Sequence, residues 1–292
     1  MIINEENMTA LRQVISGAFQ QGLDEAMPRN IDFMTLMMPS TGESNLYPFM
    51  EDMGSWREWL GDRNWNNLRY GDFRLVNRDW EKSYRLPKKR IDDDQYATFP
   101  NLLKLAGAGW PHLKVSTRLD ALLTNALCMD GKAIAANDHA FKAGSTIDNL
   151  TTDALSVSSF EAAFIAAAGW VFANGLSCGT RFTHLLIGEK LRGVAHGIVG
   201  TERLADNTTN PNYKRVETVI LDEFSGTYDD YWMLIDASKP IKPVILQVRQ
   251  EAEIVIDSLP EHVKRTGNLD VMADGRMAAA PTMPNLVYQG RL

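Results

Sequence analysis

Apolar residues recur at helical spacing near the start of the chain. Between Glu5 and Gln21 they lie on one face of a 3.6-residue repeat, and the opposite face is polar. The apolar positions are Met8, Leu11, Val14, Ile15 and Phe19. The pattern predicts an amphipathic helix, followed after Pro28 by an extended stretch at Ile31–Met38.

The pattern becomes strand-like between Asn67 and Leu86. Phe73 and Leu75 precede the turn-forming cluster Asn77–Asp79, and further β-forming residues follow it. This arrangement predicts a long β-hairpin. An isolated two-stranded ribbon is marginally stable in water, so we expect this hairpin to lie on another surface.

The middle of the chain is predicted to be largely helical. Two helices are expected at Asn101–Ala108 and Pro111–Leu127, and a polar, loop-like segment at Ala140–Leu155. A third, Ala-rich helix at Ser159–Ala173 has a capping box in Ser158 and Glu161, with Gly175 as its C-terminal cap. Because that apolar stretch is shorter than the roughly 20 residues needed to cross a bilayer, we expect a buried helix and no membrane span.

The last third is rich in strands. A strand at Phe182–Ile187 leads into a helix at Glu189–Val199, and turn residues then separate four short β-rich runs. These runs are Val216–Leu221, Tyr231–Ile235, Val244–Val248 and Glu253–Ile256. Helices and strands are segregated along the chain, which indicates the α+β class.

Composition limits the function classes. The chain has 292 residues and a net charge of −7, so we do not expect it as a whole to bind nucleic acid electrostatically. It has only two cysteines, so we expect no disulfide framework. Its seven Trp and thirteen Met residues favour either protein–protein contacts or simply filled cores.

Known catalytic patterns are missing from the sequence. It has no phosphate-binding G-x-x-x-x-G-K-[ST] loop and no G-x-S-x-G elbow. Asp130, Asp138 and His139 could form a metal or acid–base site, although loop side chains of these types more often cap backbone groups. We therefore expect no catalytic residue, no metal and no cofactor.

Basic and aromatic residues alternate in the predicted hairpin. Trp80 and Tyr84 share a face there, since strand side chains repeat every two positions. Such a surface could bind single-stranded nucleic acid, but interleaved acids favour docking on a neighbouring subunit. The candidate inter-subunit contacts are Arg69, Arg74, Arg78, Trp80, Lys82 and Tyr84.

Three stretches resemble one family. The first is Trp232–Arg249. The second is a series of short segments that occur in the same order as in the family: WREWLG at 56–61, NRDWE at 77–81 and KKRIDDD at 88–94. The third is the loop Asp130–Phe141, where Ala140 stands in place of the proline that usually follows the histidine. Together they resemble the major head subunit of Mu-like phages and prophages.

This resemblance implies a Hong Kong 97-type capsid fold. Its parts would be an N-terminal arm (1–45), an extended β-hairpin loop (46–92), a peripheral domain with a spine helix (93–139), an axial domain (140–255) and a return to the peripheral domain (256–292). The hairpin would extend over an adjacent subunit.

The implied function is that of a non-enzymatic major capsid protein. It would assemble into pentamers and hexamers of an icosahedral shell around phage DNA, in the host cytoplasm, and remain in the virion. A separate scaffold protein, a portal and decoration proteins would be its partners, and it would bind neither membrane nor specific nucleic acid. A nanocompartment shell of the same fold, or a metal-dependent hydrolase using Asp130, Asp138 and His139, are the alternatives.

Overall fold

A computed structural model describes residues 5–50, 58–59, 61, 70–93, 99–141, 145–172, 175–204 and 206–292. The helices are α1 (Glu5–Glu25), α2 (Lys88–Asp92), α3 (Phe99–Leu123), α4 (Val157–Ala168), α5 (Arg192–Ala195) and α6 (Pro260–Thr266). The first nine strands are β1 (Thr35–Pro39), β2 (Ser44–Met50), β3 (Tyr70–Val76), β4 (Arg78–Pro87), β5 (His139–Phe141), β6 (Ser145–Ile147), β7 (Leu150–Thr151), β8 (His184–Ile187) and β9 (Glu217–Ile220). The remaining strands are β10 (Trp232–Ile235), β11 (Val244–Asp257), β12 (Asn268–Pro281) and β13 (Val287–Gly290).

Two sheets organise the chain. A four-stranded sheet has the order β1-β11-β12-β4, with β1 parallel to β11 and the other neighbours antiparallel. A five-stranded sheet has the order β7-β13-β10-β8-β9 and combines parallel and antiparallel pairs. The predicted α+β class is confirmed.

The largest core surrounds the five-stranded sheet. Strand β10 is buried along its whole length, and Trp232 at its start donates its indole N–H to the carbonyl of Asp153 (3.0 Å). Gly290 lies opposite this ring in the register, where a Cβ atom would fall 2.0 Å from the Trp232 Nε1 atom. The close approach of strand and ring therefore requires glycine at this position.

Helices α1 and α3 pack together at two glycines and cover one face of the four-stranded sheet. A Cβ atom on Gly22 would lie 2.0 Å from the Lys104 carbonyl oxygen, and one on Gly107 would lie 2.1 Å from that of Phe19. The contact is therefore between the two backbones. The predicted first helix is confirmed and runs to Glu25, but Val14 is 55% exposed rather than in the core.

One helix replaces the two predicted around Pro111. Helix α3 continues through Pro111, which has no N–H to donate to the carbonyl four residues earlier. The helix ends at Leu123, before the predicted Leu127, because Asn125 adopts a left-handed conformation (φ 58°). The Asn125 side chain then binds the chain ten residues later, since its amide N–H donates to the Ala135 carbonyl and its Oδ1 accepts a hydrogen bond from the Ala135 N–H.

The predicted hairpin Asn67–Leu86 is wrong in its pairing. Strand β3 pairs with β2, whereas β4 pairs along its full length with β12, almost 200 residues later in the chain. Both predicted strands exist in the described part of this segment, but the turn at Asn77 moves the chain from one sheet to another. The strands β2 and β3 form a two-stranded ribbon, called here the ribbon.

Other boundaries also differ. The N-cap of α4 is Ser156, which shares a capping box with Ser159, while Glu161 instead accepts a hydrogen bond from the Asn212 amide (2.8 Å). The helix ends at Ala168 and its C-cap is Gly169, so Gly175 is not its cap. The segment expected to be loop-like contains the short strands β5 to β7.

The C-terminal strands follow the prediction with one merger. Strands β9 and β10 lie within the predicted runs, and the two runs from Val244 to Ile256 form the single long strand β11, which is irregular between Val248 and Glu253. The helix expected at Glu189–Val199 is a 3-10 turn, α5 and a π turn in succession. Among the helices that the structure describes, none has an apolar stretch of the length that spanning a membrane requires.

Candidate assembly surfaces

A buried polar network fixes the base of the ribbon. The Tyr47 hydroxyl of β2 donates to Oε1 of Gln247 on β11 (2.8 Å), and the Gln247 amide N–H donates to Oδ1 of Asn77 (2.7 Å). Asn77 in turn donates to the Ser40 hydroxyl and to the Gly42 carbonyl. Burial raises the pKa of Tyr47, so the phenol stays protonated and keeps its donor. The direction in which the ribbon leaves the sheet is thereby set.

The ribbon exposes apolar surface close to this base. Leu46 is 58% exposed and Val76 is 46% exposed, although both lie on paired strands. Arg74 is exposed beside them, and its Nε donates to the Ser44 hydroxyl (2.8 Å). Because a two-stranded ribbon gains little stability alone, these side chains are available for another surface.

The even-numbered residues of β4 face α3. Trp80 is partly buried against the cluster of Trp110, Leu246 and Met277, and its indole N–H donates to the Met277 carbonyl (3.2 Å). Trp80 thus has packing partners within its own subunit, because pairing of β4 with β12 brings this face over α3. Its expected role in contacts between subunits stays a prediction.

Lys82 and Tyr84 lie further along the same face, as the strand period predicts. The Lys82 ammonium is 5.5 Å from the centre of the Tyr84 ring, and Tyr84 is 38% exposed. An apolar groove of about 310 Å³ runs between this strand and α3, beside Leu102 and Leu105, which are 59% and 70% exposed.

The other candidate contact residues are separated. Arg78 is exposed at the start of β4, Arg74 lies on the ribbon, and Arg69 falls outside the described residues. The five candidates that lie within the described residues therefore do not form one surface. Gln247 was missed by sequence reasoning, although a lone polar residue within the apolar run VILQV signals a buried group that needs a partner.

The candidate metal or acid–base site is a hydrogen-bonded loop anchor. The buried His139 ring lies with Nδ1 2.6 Å from Asp130 Oδ2 and with Nε2 3.2 Å from the Ile134 carbonyl. Cys128 contributes its thiol, which donates to the other Asp130 oxygen (2.9 Å). Asp138 is not part of this cluster, because its exposed carboxylate pairs with Lys132 (2.7 Å).

Electrostatics at this anchor favour structure over catalysis. Burial by itself would raise the pKa of Asp130, but hydrogen bonds from His139, Cys128 and the Lys132 backbone outweigh it and lower the pKa to about 2. Burial and the neighbouring carboxylate raise the pKa of the Cys128 thiol, which therefore stays protonated and is a poor nucleophile. Cys128, Asp130 and His139 are of types that could ligate a metal, and in this geometry they satisfy one another.

Solved structures of phage capsids and of a virus-like particle share this fold. The chain is similar to a subunit of the bacteriophage JBD30 procapsid, with 18% identity and a TM-score of 0.58 over 99% of this chain and 76% of that one. It is also similar to the bacteriophage PhiM1 mature capsid, with 11% identity and a TM-score of 0.58 over 92% and 89% of the two chains. A virus-like particle from Pyrococcus furiosus matches with 10% identity and a TM-score of 0.55 over 95% and 98%. The fold is the Hong Kong 97-type capsid fold.

Sequence comparison identifies the family. The chain is 24% identical over 160 residues to the Mu-like prophage FluMu major head subunit of Haemophilus influenzae, and the match spans 50% of this chain and 50% of that protein. The chain thus matches about half the length of this curated relative. The model of the Mu-like prophage major head subunit gpT family matches residues 8–165, more than half of the chain. This chain therefore belongs to the Mu-like prophage major head subunit gpT family.

Proposed function

We propose that this protein is the major capsid subunit of a Mu-like phage head, a shell-forming protein without enzymatic activity. Family membership and the capsid fold support this proposal. One structural observation carries it further: among the described residues, Gln247 holds the base of the ribbon through hydrogen bonds with Tyr47 and Asn77, while Leu46 on the ribbon is exposed. Such a ribbon is stabilised when a second copy covers its apolar side.

Assembly into pentamers and hexamers follows from this proposal. The parts would be an N-terminal arm (1–45), an extended loop (46–92), a peripheral domain (93–139 and 256–292) and an axial domain (140–255). Each subunit would be held by several neighbours, so weak contacts would add up across the shell. Shells would form in the host cytoplasm with a separate scaffold protein, a portal and decoration proteins.

The candidate contacts keep different roles in this proposal. Arg74, Arg78, Lys82 and Tyr84 are exposed and would face neighbouring subunits, as would Arg69. Trp80 would contribute mainly to the stability of its own subunit. The net charge of −7 would keep the shell from gripping the enclosed DNA.

Electron microscopy and sedimentation test the proposal. The purified protein, alone or with a scaffold protein encoded beside it, should form rings or closed shells. Leu46→Asp should reduce their formation while leaving the unfolding transition of the free subunit unchanged, because Leu46 is exposed. Thr9→Asp, a charge added at an exposed position of α1, serves as a control for surface charge. A protein that stays monomeric under every assembly condition would refute the proposal.

A gene for a cargo enzyme beside this one, in place of portal and terminase genes, would instead indicate a nanocompartment shell. That alternative shares the fold, but the family match favours the phage head.

A further inference from the structure

The four-stranded sheet has an open face with unbalanced negative charge. Its other face is covered by α1 and α3, towards which Ile254, Ile256 and Val271 point. Strand side chains alternate between faces, so the neighbouring positions of β4, β12 and β11 point outward. The outward set contains six carboxylates and two guanidinium groups, from Asp79, Glu81, Glu253, Asp257, Asp270, Asp274, Arg85 and Arg276.

One cross-strand row on this face is entirely acidic. In the register, Glu81 of β4 lies opposite Asp274 of β12, and Asp274 lies opposite Glu253 of β11. Like charges directly opposite each other destabilise a sheet. The two arginines do not relieve this row, since Arg85 pairs with Asp270 and Arg276 pairs with Asp79.

Neighbouring polar groups compensate only partly. The Ser83 hydroxyl donates to Glu81 (2.7 Å), and the Gln250 amide donates to Asp274 (3.3 Å). Within the described residues, Glu253 has no ion-pair partner. A subunit that folded only for its own stability would gain from a lysine here, so the acidic row indicates a cation that arrives from elsewhere.

An exposed apolar pair adjoins the acidic row. Val255 and Met272 lie opposite each other in the next row and are 55% and 36% exposed. Apolar side chains bordered by charge on an open sheet are typical of a protein-binding surface rather than of an ion site. The acidic row and this pair together are called here the acidic sheet face.

The same chain carries a matching basic segment. Lys88, Lys89 and Arg90 form the only run of three consecutive basic residues in the sequence, and they lie on the short helix α2. Lys89 and Arg90 are exposed. This run is separate from the acidic row, and a contact between two different patches of one chain joins copies head to tail, which closes into a ring when the rotation permits.

We propose that the acidic sheet face binds the basic helix α2 of a second copy of this chain. This inference rests on the proposed shell-forming function and names the two surfaces of one of its contacts. The three carboxylates attract the exposed Lys89 and Arg90 side chains, and Val255 and Met272 bury apolar surface beside them. Attraction between exposed charges also speeds encounter and weakens as salt rises.

A charge swap tests the pairing. Glu81→Lys with Glu253→Lys places a lysine on each side of Asp274, so that Asp274 has an oppositely charged neighbour on both adjacent strands. The free subunit of this variant should therefore unfold at the wild-type temperature or above it. Assembly of this variant should nevertheless need an at least about tenfold higher subunit concentration. Lys89→Glu with Arg90→Glu should weaken assembly similarly, and combining all four changes should restore it.

The control carries the same change in charge on other surface positions. Glu202→Lys with Asp222→Lys alters two exposed carboxylates outside the four-stranded sheet, and should assemble at the wild-type concentration. Light scattering at several salt concentrations, with electron microscopy of the products, measures assembly.

Several results would overturn the inference. Wild-type behaviour of Glu81→Lys with Glu253→Lys would do so, and so would a fourfold variant that assembles no better than its parents. If the sheet-face changes instead abolish only the binding of a separate scaffold or decoration protein, the occupant is that protein and not a second copy. A wild-type chain that never forms rings or shells overturns the proposed function itself, whereas these other outcomes leave it standing.

Discussion

Replacing Trp80 with alanine tests whether β4 belongs to the fold of its own subunit. Truncating a completely buried tryptophan to alanine lowers the free energy of unfolding by about 3–5 kcal/mol. Trp80 is partly buried against Trp110 and Met277, so about half of that, roughly 2 kcal/mol, applies. Loss of its hydrogen bond to the Met277 carbonyl adds about 1 kcal/mol. We therefore expect the free energy of unfolding to fall by about 3 kcal/mol.

Thermal and urea unfolding of the unassembled subunit measure this loss. A protein of this size should lose about 6–12 °C in Tm, because each kcal/mol shifts the midpoint by about 2–4 °C. Tyr84→Ala is the matched control, since Tyr84 lies on the same face of the same strand but is more exposed, and should cost about 1 kcal/mol or less. Trp80→Phe should retain most of the packing and lose mainly the hydrogen bond.

The opposite result would refute the reasoning. If Trp80→Ala unfolds at the wild-type temperature but no longer assembles, the ring acts between subunits, as the sequence pattern alone suggested. Equal losses for Trp80→Ala and Tyr84→Ala would show that burial against α3 does not set the energy.

Three further predictions concern the interior. Gly107→Ala should lower the free energy of unfolding, measured in urea, by about 2 kcal/mol or more, because its Cβ atom would meet a backbone oxygen. The control Gly17→Ala has open space around the new Cβ atom and should raise it by about 0.5–1 kcal/mol, so equal effects of the two changes would contradict the close helix contact. The pKa of Asp130 is lowered in the folded state from 3.8 to about 2, so its carboxylate stabilises the fold above pH 4 and this stabilisation is lost as pH falls through 2. The free energy of unfolding of Asp130→Asn should therefore be about 2 kcal/mol below that of the wild type at pH 6, and the two should converge towards pH 2. Burial raises the pKa of Cys178 to about 12 and also raises the pKa of Cys128, so both thiols stay protonated and enclosed in the folded subunit. Mass spectrometry after treatment with an alkylating reagent should find neither thiol modified in the folded subunit and both modified in urea, and rapid modification of the folded subunit would contradict their burial.

Local pattern and composition determined much about this protein. The apolar repeat predicted the helix that begins at Glu5, and β-forming runs predicted the strands near Val216, Tyr231 and Val244. These elements are specified by short-range spacing, because one buried face requires apolar residues at the period of the helix or strand. The α+β class and the family resemblance followed from such local features.

Pairing between distant segments was decided by the tertiary structure. The turn at Asn77 suggested that β3 and β4 pair with each other, yet the Arg85–Asp270 ion pair joins residues 185 apart. Turn residues report a change of direction, but they do not identify the strand that supplies the hydrogen bonds. Strand β4 pairs with β12, and Trp80 packs against the cluster of Trp110, Leu246 and Met277. These are long-range contacts that no local pattern encodes.

The meaning of polar residues depended on the same long-range packing. Asp130 and His139 are nine residues apart and suggested chemistry, whereas the fold encloses them with Cys128 in a hydrogen-bonded anchor and leaves Asp138 at the surface. Glu81, Asp274 and Glu253 are unremarkable acids in the sequence. They become one row only because one strand from the first third of the chain and two from the last third align in a single register about 5 Å apart.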